Sequence, residues 1–305
     1  MTPDISEDHL GRIGLELEFS GLSERTAAEV VALATNSQAR KHAPGYWTCQ
    51  TEAFGKCEVY LDTRYAETAR ELGGETAEKL LRNVVPVELV TEPFSRDRLP
   101  DFDIIVSSLR DAGAVGSRDG VFLGFGLHLN IEAAEMDGAA VARRVAAYAL
   151  LEPFLRAEDP IDVSRRMLPF VRPYADAFVD ALANSLPTSF DGLLAAYLAH
   201  APSRDHGLDM LPLLATVDDA RVTEAAKGLG SVKARPAYHF RLPDCRIDEA
   251  DWSIDLAWNQ WKLVDAVAQD KELLNKLRRE RLDFDGDWSD RVSEILSAHS
   301  HLGAS

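Results

Sequence analysis

Apolar and polar residues alternate along five short segments of the chain. Alternation with a period of two is typical of a β-strand that turns one side toward a core. In RIGLELEF, for example, Leu15 and Leu17 fall on one side, and Glu16 and Glu18 fall on the other. We therefore predict five strands, each with an apolar side and a polar side. The other four segments are CEVYLDTRY, PVELVTEPF, FGLHLNIE and RPAYHFRLPD.

Helical periodicity dominates the middle and the end of the chain. Residues 136–202 predict mainly helix, inserted between strands, and Leu256–Arg281 predicts one long helix because apolar residues recur there at helical spacing. Strands that alternate irregularly with helices favour the α+β class over a repeating βαβ unit. We expect one domain over residues 1–290 and a flexible tail over 291–305, where the chain ends in small and polar residues.

The polar sides of the predicted strands have an unusual composition. Strand faces favour threonine and other β-formers over glutamate and aspartate, yet acids and histidines prevail here. An ordinary solvated strand face explains each segment taken alone. Taken together, neighbouring acids would repel one another unless a cation lay between them, and Mg²⁺ or Mn²⁺ prefers carboxylate ligands with one or two imidazoles. The polar sides therefore predict a metal site. The residues concerned are Glu16, Glu18, Glu58, Asp62, Glu88, Glu92, His128, Asn130 and His239.

Composition narrows the class of partner. The 305 residues carry a net charge of −17, which disfavours nucleic acid and anionic membranes as partners. The charge is compatible with a site that concentrates divalent cations, although acidic surfaces are also common for solubility alone. Three cysteines without CxxC spacing indicate a reducing compartment and no cysteine-type zinc site. Without a signal peptide or an apolar run of about 20 residues, we expect a soluble, cytoplasmic protein.

Two arginines near the last predicted strand, Arg235 and Arg241, add a second kind of chemistry. Guanidinium groups do not bind metals, but they hold phosphate or carboxylate groups through two parallel hydrogen bonds. Metal-binding acids combined with arginines suit phosphoryl transfer. No glycine-rich phosphate loop follows any predicted strand, which disfavours a Rossmann or P-loop enzyme.

Four of these segments resemble the motifs of a known family. RIGLELEF, ELVTEPF, FGLHLN and HFRLPD are similar, in this order, to motifs of the amidoligase family, and the resemblance extends from Arg12 to Trp261. That family belongs to the superfamily of glutamine synthetase and glutamate–cysteine ligase, which are carboxylate–amine ligases. The resemblance implies a glutamine-synthetase-like fold, in which a curved antiparallel sheet carries the site on its concave face and helices pack on its convex side.

The resemblance also implies a set of metal ligands. Glu16 and Glu18 would hold different divalent ions, with His128 on the ion of Glu16 and Glu88 on the other ion. His239 stands where glutamine synthetases often have a glutamate, so it would be either a metal ligand or an acid–base group.

Other residues would hold the nucleotide. Arg235 and Arg241 resemble a clamp for nucleotide or acyl phosphate, and Arg241 is also a catalytic candidate. Asn130 takes the place of a second histidine found in many relatives, and we assign it to cofactor binding. Arg204 has the same assignment because it lies in PSRDHGLDMLPLL, which also resembles a stretch of the family.

The implied function is a ligase dependent on ATP and Mg²⁺ (or Mn²⁺). A carboxylate would become an acyl phosphate, and an amine would displace phosphate to form an amide, with Asp62 or Glu92 as the catalytic base. We expect small-molecule or peptide carboxylates and amines as substrates, with a homo-oligomer as an option. Two alternatives stay open: a non-catalytic nucleotide- or metal-binding protein on the same fold, and a metal-dependent hydrolase, which would need no ATP.

Overall fold

Nine β-strands form one open antiparallel sheet in the computed structural model, which describes residues 11–61, 85–117, 124–166, 171–228 and 232–302. The strands are β1 Arg12–Phe19, β2 Ala39–Ala43, β3 Tyr46–Gln50, β4 Lys56–Leu61, β5 Val87–Thr91, β6 Phe94–Ser95, β7 Leu127–Glu132, β8 Leu208–Asp209 and β9 Ala237–Phe240. They lie in the order β2–β3–β4–β5–β1–β7–β9–β8, and the short β6 also pairs with β1. The predicted mixture of helices with an antiparallel sheet is confirmed.

Strand β1 lies near the centre of the sheet, between β5 and β7. Leu15 lies opposite Leu129 of β7, and Leu17 lies between Leu89 of β5 and Leu127 of β7. All five leucines are fully buried, so matched apolar residues on neighbouring strands form one continuous apolar face. A slip of one residue would turn this whole set to the other face, and the register is therefore strongly specified. The predicted alternation is confirmed in the described part of each segment.

Helices cover the apolar face of the sheet. The described helices are α1 Glu24–Ala34, α2 Asp103–Asp111, α3 Gly138–Glu158, α4 Val163–Arg166, α5 Asp176–Asn184, α6 Phe190–His200, α7 Leu211–Ala215, α8 Asp219–Ala225, α9 Ile254–Gln269, α10 Lys271–Asp283 and α11 Trp288–Leu302. Helix α1 packs on β3 and β4, and Trp261 of α9 and Tyr148 of α3 both contact the ring of Phe240. Within the described ranges, no helix has the length and apolar character needed to cross a membrane.

Helices α3 to α6 lie in residues 136–202, where the sequence predicts mainly helix. Helix α3 is buried over most of its length and packs against α6, α9 and α11. Its Arg144 forms an ion pair with Asp265 of α9, with 2.7 Å between Nε and Oδ1, and both side chains are buried. The amide of Gln269 also donates to Asp265, so polar groups fix the α3–α9 contact inside an apolar layer.

Two expectations at the end of the chain are wrong. The single helix predicted over Leu256–Arg281 is two helices, because Asp270 has extended backbone and its carboxylate accepts a hydrogen bond from the Leu273 amide, which caps α10. The expected tail is helical through Leu302, since α11 buries Val292 and Ile295 against the protein. A local side-chain cap and two apolar residues at helical spacing account for these differences.

The Arg144–Asp265 pair provides a test of the helical layer. We expect Arg144→Met to lower the free energy of unfolding by about 3 to 5 kcal/mol, because it leaves a buried carboxylate without its cation. The double variant Arg144→Met/Asp265→Leu should recover most of that loss, and Arg25→Met, at an exposed pair on α1, should cost far less than Arg144→Met. Urea unfolding measures all three. An equal loss in the single and double variants would contradict this account.

Candidate metal centre and substrate cleft

The sheet register brings acids and imidazoles together on the face opposite the one that the described helices cover. Glu16 of β1 lies opposite His128 of β7, and Glu18 of β1 lies opposite Glu88 of β5. His239 of β9 lies opposite the next polar residue of β7, Asn130. Paired residues on adjacent strands have Cβ atoms about 5 Å apart, so these side chains meet although their positions in the sequence are far apart.

Glu16 is held by two hydrogen bonds from β7. His128 Nδ1 lies 2.9 Å from Glu16 Oε2, and Asn130 Nδ2 donates to Glu16 Oε1 at 2.8 Å. With Nδ1–H as the donor, His128 Nε2 carries a lone pair, and it lies 3.8 Å from Glu18 Oε1. Glu18 is itself fixed, because its Oε2 accepts a hydrogen bond from the Gly126 amide at 2.8 Å. His128 therefore lies between two buried carboxylates.

His239 completes a cluster with Glu16 and His128. Its ring lies 5.2 Å from the His128 ring, and its Nε2 lies 3.8 Å from Glu16 Oε2. This Nε2 is buried and has no hydrogen-bond partner within the part of the chain that the structure describes. One ligand atom from each of the three residues lies within 4.8 Å of the others. Two atoms that are each about 2.1 Å from one ion lie at most about 4.2 Å apart, so a small side-chain movement would allow these residues to hold a divalent cation.

Burial sets the protonation of this cluster. It lowers the pKa of His128 to about 3, so the imidazole is neutral at pH 7, which is the form that binds metals. Burial alone would raise the pKa of Glu16, but the hydrogen bond with His128, the nearby imidazole of His239 and the Asn130 amide together lower it well below the usual value. An ionised acid beside a neutral imidazole is a donor set suited to a cation.

Asp209 of β8, which no sequence pattern indicated, supports His239 from behind. Its Oδ2 lies 3.7 Å from His239 Nδ1 and 3.4 Å from Arg204 Nε, and its Oδ1 accepts a hydrogen bond from the Leu211 amide. Burial would raise the pKa of Asp209, but His239 and the arginines Arg204 and Arg241 lower it. A carboxylate behind an imidazole fixes the ring orientation and leaves the other nitrogen for a ligand.

The predicted arginines have different surroundings. Arg235 is half exposed, and its Nη1 lies 3.5 Å from Glu16 Oε1 at the edge of a cleft of about 380 Å³. Arg241 is buried, and its Nη1 donates to the carbonyl of Arg204 at 2.7 Å. Arg204 thus contacts Asp209 and Arg241. The structure brings Arg235 to the open cleft and places Arg204 and Arg241 behind the cluster.

The structure describes all but one of the predicted acids other than Glu16 and Glu18. Glu88 is buried, and Glu92 is exposed and lines the cleft, where its Oε2 accepts a hydrogen bond from the Lys56 amide at 2.9 Å. Asp62 lies outside the described residues. Glu58 lines the same cleft and pairs with the Lys56 ammonium at 2.8 Å. Strand alternation put Glu58 on the polar side, but no motif singled it out.

Buried Arg165 of α4 is a second residue that the sequence did not reveal. Its guanidinium donates to the backbone carbonyls of residues 241, 242 and 243 and pairs with Asp244 at 3.0 Å. It thereby fixes the chain that follows His239. Gly126 has no side chain here because an added Cβ would lie 2.6 Å from Arg165 Nη2 and 2.7 Å from His128 Nε2.

The chain belongs to the family described as "Putative amidoligase enzyme", whose model matches residues 11–263. The resemblance stated from the motifs is confirmed, and the matched range contains every residue of the cluster. Comparison with curated proteins gave no match, and comparison with solved structures gave none.

Asp209 provides a test of the cluster without any substrate. We expect Asp209→Asn to weaken Mn²⁺ binding about 10- to 100-fold, because His239 loses the carboxylate that orients it. Titration calorimetry with Mn²⁺ alone measures the affinity, and circular dichroism confirms that the variant is folded. Asp205→Asn, four residues earlier, is the matched control and should bind Mn²⁺ as the unchanged protein does. Unchanged affinity in folded Asp209→Asn would contradict the supporting role.

Proposed function

We propose that this protein is a ligase that uses ATP and a divalent metal ion to join a carboxylate and an amine through an acyl phosphate. The observation that carries the proposal is the buried cluster of Glu16, His128 and His239 in a chain of the amidoligase family. An open antiparallel sheet with acids on one face also supports a glutamine-synthetase-like arrangement. On this proposal, the uncovered face is the catalytic face.

The donor set fits Mg²⁺ or Mn²⁺, which favour carboxylate oxygens with one or two imidazoles. Two pairs of ligand atoms are each 3.8 Å apart: Glu16 Oε2 with His239 Nε2, and Glu18 Oε1 with His128 Nε2. Glu88 lies opposite Glu18 and would complete the second pair. When bound, divalent ions neutralise charge on the transferred phosphoryl group and align it.

Residues of the adjoining cleft would position the substrates. Arg235 is the better placed of the two predicted arginines to bind phosphate, because its guanidinium is half exposed in the cleft. A carboxylate oxygen of the substrate attacks the γ-phosphorus and releases ADP, which leaves an acyl phosphate. The amine nitrogen then attacks the acyl carbon, phosphate leaves, and a base takes the ammonium proton. Glu92 lines the cleft and is the described residue that we propose as this base.

Glu16 is the residue that tests the ligase assignment. We expect Glu16→Gln to reduce ADP release about 100-fold or more, because the change removes the charged ligand at the centre of the cluster. The assay measures ADP formed with Mg²⁺ over a panel of paired carboxylates and amines. Glu29→Gln, an equal change of charge on the exposed side of α1, should leave the rate unchanged.

Other results would identify a different function. ADP release that needs neither a carboxylate nor an amine would indicate an ATPase. Hydrolysis of a substrate without ATP would indicate a metal-dependent hydrolase. Tight binding of Mg·ATP without turnover over the whole panel would indicate a nucleotide-binding protein. Full activity of Glu16→Gln would show that the cluster takes no part in catalysis.

A further inference from the structure

A second cleft lies on the same face of the sheet, toward its outer edge. We call it the outer basic cleft; its volume is about 480 Å³, and it is lined by Gln38, Arg40, His42, Thr48, Gln50 and Lys56. We propose that the substrate is an extended acidic peptide. Its reacting group lies at the metal cluster, and a second carboxylate, distant from that group, binds in the outer basic cleft. This inference rests on the proposed function, which places the reacting group at the metal cluster.

The charge of the outer basic cleft is opposite to that of the protein. The six lining residues that the structure describes include three basic side chains and no acid, in a chain with 50 acidic residues and 33 lysines and arginines. Lys56 is partly neutralised by Glu58, but the guanidinium of Arg40 is exposed and has no hydrogen-bond or ion-pair partner among the residues described. His42 is fixed by a 2.8 Å contact between its Nε2 and Thr48 Oγ1. Arg40 is therefore available to an anionic ligand.

The register gives the distance between this cleft and the metal cluster. Arg40 lies opposite Thr48, Thr48 opposite Glu58, Glu58 opposite Val90, and Val90 opposite Glu16. These pairs form a row across five strands on one face. Adjacent strands are about 4.8 Å apart, so the ends of the row are about 19 Å apart. An extended peptide covers that distance with about five or six residues at about 3.3 Å each.

The two clefts are neighbours along this row. Lys56 lines both, and Val90 and Thr91 contribute to the lining of the inner one. A single amino acid cannot reach from Glu16 to Arg40, whereas a peptide lying across the strands can contact both. The nucleotide is a poor occupant of the outer basic cleft. Among the described lining residues there is no large apolar side chain, and His42 has the one aromatic ring on which a base could stack.

Lys41, the next residue of β2, provides a matched control for a substitution of Arg40. Successive residues of a strand point to opposite faces, and Lys41 lies over the ring of Trp47, away from the outer basic cleft. Arg40→Gln and Lys41→Gln therefore remove one positive charge each from adjacent positions of β2, but only the first removes it from the cleft. Both residues are exposed, so neither change disturbs the core.

The experiment is titration calorimetry without nucleotide or metal, with pentaglutamate, free glutamate, inorganic phosphate and ATP as separate ligands. We expect pentaglutamate to bind at least about tenfold more tightly than glutamate. Arg40→Gln should weaken pentaglutamate binding about tenfold, which is typical of a lost charge-assisted hydrogen bond. Lys41→Gln should change it less than about twofold.

Three results would overturn the proposal. The first is no measurable binding of pentaglutamate, and the second is an equal loss of pentaglutamate affinity in Arg40→Gln and Lys41→Gln. The third is a loss of affinity in Arg40→Gln that affects only phosphate and ATP. The ADP-release panel separates this proposal from the ligase assignment, because pentaglutamate binding is measured without nucleotide or metal. Binding that depends on Arg40 in a protein that releases no ADP with any substrate pair would support the outer basic cleft and refute the ligase assignment.

Discussion

The burial of Glu16 at the centre of the sheet constrains the groups around it. A carboxylate loses its hydration when it is buried, and an ionised one is tolerated only where hydrogen bonds and positive or polar groups replace that water. His128 and Asn130 supply hydrogen bonds, while His239 and Arg235 approach to 3.8 and 3.5 Å. These partners come from β7, β9 and the segment that precedes β9. The site therefore exists only when the centre of the sheet is assembled.

Strand register connects this requirement to the core. The leucines of β1 and β7 are matched on the apolar face, so the same pairing that buries them sets Glu16 opposite His128. A slip of one residue would carry the acid into the helical layer. Gly126 and Arg165 refine the arrangement, because the missing side chain leaves room for the Arg165 guanidinium and the His128 imidazole, which both lie close to Gly126. Apolar packing thus determines the positions of polar groups on the opposite face.

The strand face of the site could be predicted from the sequence because alternation is a local property of each strand. The contribution of Asp209 could not, since β8 has only two residues and its neighbour His239 is brought close by pairing of distant segments. The end of α9 was missed for a different reason. The apolar stripe continues past Asp270 into α10. The two helices are separated by the extended backbone of Asp270, whose carboxylate accepts a hydrogen bond from the Leu273 amide. Periodicity identifies faces, whereas such contacts depend on individual side chains.

The two ends of the polar face differ in charge, and this difference has an energetic consequence. Glu18 and Glu88 are buried directly opposite each other, and two ionised carboxylates in that position repel each other. A ligand that binds only the folded state adds stability in proportion to the logarithm of its concentration, about 2.7 kcal/mol at 100 times its dissociation constant. A divalent cation would therefore stabilise the acidic end. At the other end, Arg40 and Lys56 attract anions, although the overall charge of the protein repels anions. Salt screening limits this local attraction to about 10 Å. A molecule lying across the strands would contact the metal-binding acids at one end and the basic residues at the other. This difference in charge would orient an acidic substrate with one end at the cluster.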